Sequence, residues 1–265
     1  MTVSDDLKNL IDSSGHNFHA RVARWFSDNG WHVTISPYYM DPTQYKAREV
    51  DLIAEKVSWD ITGAFGKVED KVGVRLFIEC KFVPRLTVFW FAEKQIQKAF
   101  DLIAKQGPFR AGNSFGRRHH YAKESADVAK LFQSTSGNNN KLAAEQQDPF
   151  YKALNQVLNA AMAMRGQSFS PAAQAWKPRQ MLEYPVIVCG GFDQLYGVNF
   201  FGPPDEKPVA LSENFQMEVQ YAYFDRNRAT INEYRLIDVV DIDQLNSFQN
   251  SIDQDAQAAA LLLSK

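Results

Sequence analysis

The chain has 265 residues, with 29 Lys+Arg against 31 Asp+Glu and a formal net charge of -2. Hydrophobic residues make up 45% and charged residues 23%, a globular balance that excludes a disordered tail, a collagen-like fibre and a disulfide scaffold. The pI near 6.2 gives no global basic footprint, so any nucleic-acid binding has to come from a local surface.

A chain of this length buries enough surface to fold without a metal staple, and a single domain over residues 1–265 is expected. The opening MTVSDDLKNLID is acidic and lacks an apolar core of the kind a secretory signal needs. Apolar stretches such as Ala258 to Leu263 are far short of a membrane span. Cys80 and Cys189 each lie in a strand-like apolar run and read as buried thiols, which points to a cytoplasmic location.

In chain order, residues 5–29 read as helix, with Phe18, Val22, Trp25 and Phe26 on one face and Asn29-Gly30 as the stop. Trp31 to Ile35 alternates as a first strand, and Pro37 to Ala47 reads as a polar loop. Val50 to Ala54 forms a second strand, and residues 57–72 a loop or hairpin tip. Val72 to Val83 is the clearest strand: Val74, Leu76, Ile78 and Cys80 share one face, Arg75, Phe77, Glu79 and Lys81 the other. Residues 90–105 show helical spacing. Residues 106–147, with GRRHH, STSGNNN and AEQQ, read as an inserted or mobile polar segment. A helix over 149–166 follows, capped by Asp148 with Pro149 in its first turn. PVIVCG at Pro185 to Gly190, then residues 215–224 and 234–240, read as strands, and a helix begins at Asp241 to Phe248. The order gives an α/β protein with a mixed sheet flanked by helices.

The chemistry concentrates on two of these strands. Asp51 precedes Leu52-Ile53-Ala54, and Glu79 and Lys81 lie two apart on one face of the later strand. If the strands pair, the Asp51 carboxylate converges on Glu79. Two carboxylates make a hard oxygen site suited to Mg²⁺ or Mn²⁺. A lysine beside them can orient a water or stabilise charge on a transferring phosphoryl group.

Here the chain resembles the PD-(D/E)xK nuclease superfamily, of restriction-endonuclease-like fold. Arg48 to Ala54 reads as its "(G)E-[IV]-D-L-[IV]" strand and Ile78 to Lys81 as its "hhE-x-K" strand. The resemblance is nearest to the Mrr-type and Holliday-junction-resolvase-like branch, whose leading helix carries G-x-x-[FY]-E. Gly15 and Phe18 match that pattern, while His19 stands at the glutamate position. It covers roughly residues 14–105. It implies Asp51, Glu79 and the Cys80 backbone carbonyl as metal ligands, Lys81 as catalytic lysine, Gln95 as a helper on the next helix, and His19 at the site. Imidazole suits Mn²⁺ better than Mg²⁺.

Basic residues gather nearby. Arg117, Arg118, Lys94, Lys98 and Arg85 are candidates for phosphate contact, with Tyr121 able to stack on a base. His119-His120 lacks helical metal spacing and does not read as a zinc site. Phe89, Trp90 and Phe91 read as core or interface aromatics. There is no glycine-rich phosphate loop, CxxC pair or G-x-S-x-G elbow. The expectation is a divalent-metal-dependent DNA endonuclease in bacterial restriction, repair or anti-phage defence, acting alone, as a homodimer or with a defence-system partner protein. The alternative is a nucleic-acid-binding or scaffolding subunit of the same fold with a decayed site.

Overall fold

The computed structural model describes residues 7, 8, 11, 15–41, 46–62, 68–109, 116–123, 127–136, 141–142, 148–165, 178–224 and 230–264. Most of the leading helix before Gly15, Arg110, and the 137–140 and 143–147 parts of the expected insertion lie outside these residues.

Helix α1 (His16–Asp28) leads into strands β1 (His32–Ile35), β2 (Tyr38–Asp41), β3 (Lys46–Glu49), β4 (Leu52–Thr62), β5 (Val68–Lys81) and β6 (Thr87–Ala92). Helix α2 (Ile96–Lys105), two short 3-10 turns (Gly116–Arg118 and His120–Ala122), β7 (Val128–Ser136) and β8 (Lys141–Leu142) come next. After α3 (Pro149–Ala163) follow β9 (Gln180–Cys189), β10 (Leu195–Asn199), β11 (Val209–Ala210), β12 (Phe215–Phe224), β13 (Thr230–Asp241) and α4 (Leu245–Leu263).

One mixed eleven-stranded sheet runs in the order β1-β4-β5-β9-β13-β12-β7-β6-β10-β11, with β8 against β7; β2 and β3 form a separate hairpin. The β4–β5 and β12–β13 pairs are antiparallel, and β9 runs parallel to both β5 and β13. Alternation along the strands feeds two cores. On one face Leu76, Ile78, Cys80 and Val188 meet α1, α2 and α4 through Phe18, Val22, Leu102 and Ile252. On the other, Phe77, Ile187, Cys189 and Ile237 meet α3 through Phe150, Leu154 and Val157. The second half of β9, Tyr184 to Cys189, is buried on both faces, which is why its sequence is continuously apolar instead of alternating.

Local chemistry fixes the helix ends. Gly30, at φ 80, turns the chain out of α1; its N–H bonds Ser27 O at 3.1 Å and the Trp31 N–H bonds Phe26 O at 3.0 Å. That is the paired closure of a glycine-stopped helix. Trp31 and Phe26 rings also pack edge to face, 5.6 Å between centroids. Asp148 caps α3, accepting from Phe150 N at 2.8 Å and Tyr151 N at 3.3 Å.

The structure corrects three sequence expectations. Residues 90–92 are the end of a strand over 87–92, not the start of a helix: Phe89 is a core residue and its neighbours pair with β7 and β10, so backbone pairing overrides a chance helical spacing. Tyr38 to Glu49 includes a hairpin in place of an unstructured polar loop. Within 106–147, β7 lies inside the sheet between β12 and β6, and Phe109, His119, His120 and Tyr121 are buried. The polar composition there hides a core segment, because its polar atoms find partners inside. No described helix is long and apolar enough to cross a membrane. Both cysteines are free and buried.

Candidate active site

The antiparallel register Leu52↔Ile78 sets Asp51, one residue before β4, against Glu79 near the end of β5. A tight turn at Ser36, with φ 51, ties down the chain beside it: the Ser36 N–H donates to Asp51 O at 2.9 Å and the Val50 N–H to Pro37 O at 3.2 Å. The Asp51 backbone is therefore fixed from β1 as well as from β5.

The side chains then converge. Asp51 Oδ2 accepts from the Cys80 backbone N–H at 2.8 Å, and the Asp51 N–H reaches Glu79 Oε1 at 3.4 Å. Lys81 Nζ lies 2.9 Å from Glu79 Oε2 and 3.9 Å from Asp51 Oδ2. From α1, His19 Nε2 lies 3.5 Å from Asp51 Oδ2. The sequence-predicted His19, Asp51, Glu79 and Lys81 thus meet at one end of the β4–β5 pair. Helix α1 delivers His19 because Phe18 and Val22, on its buried face, pack with Ile78 and Cys80.

Burial decides the electrostatics. Glu79 is fully buried, and that burial pushes its carboxyl up to about 8; Lys81 offsets part of the shift and Asp51 adds to it. Burial alone would pull Lys81 down, but the Glu79 and Asp51 carboxylates outweigh it and hold the ammonium above the ordinary lysine value. The Lys81 ammonium, 2.9 Å from Glu79 Oε2, is the charge partner of this buried carboxylate.

The donor set fits a small divalent cation. Asp51 and Glu79 supply carboxylate oxygens, both within 4 Å of Lys81 Nζ, and His19 supplies a nitrogen next to Asp51. Cys80 Sγ also lies within 4.8 Å of His19 and Asp51 donor atoms. Burial keeps that thiol protonated, well above its usual value, so it is a core side chain and not a ligand for a hard ion. Cys80 contributes to the site by its backbone.

Two other expectations separate from this group. Gln95 binds Glu218 of β12, through its N–H at 3.0 Å and its Nε2 at 2.6 Å. Strand β12 is three ladder steps from β5, about 14 Å across a sheet. Gln95 therefore opens α2 and anchors it to β12, where Lys130 and Tyr234 also hold Glu218. Lys94 is buried and donates to the Tyr121 and Lys123 carbonyls at 3.1 and 3.2 Å, so it braces the 116–123 turn instead of offering a surface charge to phosphate. Arg117, Arg118 and Lys98 are exposed and Arg85 is half-buried.

Sequence reasoning missed a second polar cluster. Asp255 of α4 accepts from the His120 backbone N–H at 3.0 Å and from Tyr184 OH at 3.1 Å, and makes a short contact with His120 Nδ1. His120 Nε2 lies 3.3 Å from Asp238 Oδ2. Although burial opposes it, Asp255 and Asp238 push His120 up to about 9; burial drives neighbouring His119 down to about 4. His119, His120 and Asp255 are close enough to share a metal. However, the Tyr121 N–H donates to His119 Nδ1 at 3.1 Å, which leaves the ring proton of neutral His119 on Nε2. Nε2 is the atom 3.3 Å from Asp255, so it is a donor there and not a free ligand. The cluster is a hydrogen-bonded network. A pair of adjacent histidines in a basic stretch carried no sequence signal for it, since Asp238 and Asp255 are more than a hundred residues away.

Comparison of the chain with protein-family models, curated proteins and solved structures gave no match.

Proposed function

We propose that this protein is a divalent-metal-dependent endonuclease of the PD-(D/E)xK type, with a restriction-endonuclease-like core, acting on DNA. The observation that carries the reading is the position of Lys81 Nζ, 2.9 Å from Glu79 and 3.9 Å from Asp51. A strand-end carboxylate pair with a lysine wedged between them matches the demands of phosphodiester hydrolysis better than those of a surface ion pair, because Glu79 is wholly buried. A buried carboxylate beside a second one is costly to keep for an ion pair alone.

In this reading Asp51 and Glu79 hold Mg²⁺ or Mn²⁺, with the Cys80 carbonyl as the remaining ligand implied by the motif. When bound, the cation supplies charge neutralisation at the scissile phosphate and acidifies an attacking water. Lys81 positions that water or stabilises the charge that develops on the pentavalent phosphorus. His19, beside Asp51, biases the site towards Mn²⁺. Exposed Arg117, Arg118 and Lys98 supply phosphate contacts that set the strand's path.

The second reading, a DNA-binding subunit with a decayed site, rests on His19 standing 3.5 Å from Asp51 where the motif carries a glutamate. The test is a panel of supercoiled, linear, branched and single-stranded DNA incubated with Mg²⁺, Mn²⁺ or EDTA. The nuclease reading expects metal-dependent cutting of at least one substrate, faster with Mn²⁺. DNA retained without cutting in either metal supports the decayed subunit.

A further inference from the structure

Past β12 the sheet continues through β7, β6, β10 and β11. One face of this end is covered. Phe89, in register with Phe132, belongs to the core that α3 closes, and its ring packs edge to face on Phe150 with 5.1 Å between centroids. Alternation along β6 turns Leu86, Val88 and Trp90 to the other face. Register then places Leu131 of β7 and Val198 of β10 on either side of Trp90, and Gln133 and Tyr196 on either side of Val88.

This second face has no partner among the described residues. Helices α1, α2 and α4 pack chiefly on β1, β4, β5 and β13. Leu86, Val88, Trp90, Leu131, Tyr196 and Val198 belong to neither core. Leu131 is 54% exposed at the centre of the sheet end. The turn after β10 extends the surface: the Phe200 N–H donates to Phe91 O at 2.8 Å, and the Phe200 ring packs edge to face on Phe201, which is 82% exposed. Both rings border one shallow hollow with Ala92 and Lys130.

The charge of the face is already spent. Lys130, at the irregularity in the β6–β7 pairing, is neutralised by Glu218 at 2.8 Å. A nucleic acid needs free cations to meet its phosphates, and this face offers none among its described residues. Its exposed residues present on the order of 600 Å² of continuous apolar surface, at the upper end of what monomers show, about 300–600 Å². One side of a typical interface spans about 800 Å², and homodimer interfaces are about 65% apolar. Area and composition therefore both match one half of a homodimer contact.

We propose that this face is a dimer interface, covered by the same face of a second copy of the chain. A two-fold axis along β6 sets Trp90 against Trp90 and Leu131 of each copy over Val198 of the other, with the two sheets stacked about 10 Å apart. The contact is self-complementary because no like charges meet at its centre. Strand β6 lies five ladder steps from β5, about 24 Å. Pairing through this face leaves the Asp51–Glu79–Lys81 group open in each copy, and the proposal does not depend on that group being a nuclease centre.

The test is sedimentation equilibrium of the full chain, whose monomer mass is 30.1 kDa, over about 1–100 µM. The wild type is expected at twice the monomer mass, with a Kd below about 10 µM. Leu131→Glu and Phe201→Glu each carry a charge into the contact from a position exposed in the monomer. Each is expected to weaken dimerisation by at least about tenfold and to keep the circular dichroism of the folded chain. Leu261→Glu, at an exposed apolar position on α4, should dimerise like the wild type. A wild type that stays monomeric at about 100 µM overturns the proposal and leaves the face to a different protein. So does self-association that neither face variant weakens, or that Leu261→Glu abolishes.

Discussion

Asp51 and Glu79 hold each other across the end of the β4–β5 ladder: the Asp51 N–H reaches the Glu79 carboxylate at 3.4 Å, while the Asp51 carboxylate grips the next backbone N–H, that of Cys80, at 2.8 Å. Each residue thus fixes the other's chain, and two carboxylates are placed side by side by the sheet itself. Rigid strand ends of this kind suit a site whose chemistry needs positions fixed to a fraction of an ångström. The arrangement costs stability, since Glu79 is buried with like charge beside it.

Glu79→Gln should remove that cost. The amide keeps the shape, relieves the burial of a charge and lessens repulsion of Asp51. The metal-free variant is expected to be about 1–2 kcal/mol more stable than the wild type in urea denaturation and to cut no DNA. A variant less stable than the wild type would mean that the carboxylate is a structural partner of Lys81.

The His119–His120 network sets a pH profile. His120 is held up near 9, so its contribution is complete below about 6.5 and is lost as pH rises through 9. His119 is held down near 4, so the unfolded chain takes up a proton below about 6.5 that the fold refuses, and stability falls towards pH 4. The unfolding free energy from urea denaturation should therefore decline on both sides of near-neutral pH, by on the order of 2 kcal/mol at each limb. Asp255→Asn should flatten the alkaline limb, because it removes the largest influence raising His120.

Arg117 and Arg118 are exposed where Lys94 is buried, and the two kinds of substitution should behave differently. The Arg117→Ala, Arg118→Ala double variant is expected to keep its melting temperature, weaken DNA binding and lower the salt slope by about 2. Lys94→Met should instead lose about 1–3 kcal/mol of stability, because two carbonyls on the 116–123 turn lose their donor.

Gln95→Ala is expected to change the cleavage rate by no more than about twofold while costing about 1 kcal/mol, since it breaks the Nε2 hydrogen bond from the start of α2 to Glu218 and keeps the backbone one. A large loss of rate with normal stability would place Gln95 in the chemistry after all.

The strands of the candidate site were legible because their signal is local. Alternation in Val74 to Lys81 assigns Glu79 and Lys81 to one face, and Asp51 at a strand start can meet them by simple antiparallel pairing. His19 was legible by its place on the leading helix. Other features depended on distant partners. Residues 87–92 became a strand through β7 and β10, and His119 to Tyr121 and β7 became core through Asp238, Asp255 and β12. Lys94 looked like a surface cation because nothing near it in sequence shows that Tyr121 and Lys123 fold over it. Gln95 matched its motif by spacing alone, and the strand inserted before α2 carries it to another part of the sheet.

If Lys81 and Asp51 work as one phosphodiesterase site, neither can be lost without the activity. The most direct measurement is single-turnover cleavage of a DNA substrate in Mn²⁺ by the wild type, Lys81→Ala and Asp51→Ala, with folding checked by melting temperature. The account predicts cutting by the wild type and a loss of about 10²-fold or more in each folded variant. Cutting that persists at the wild-type rate in either variant would contradict it.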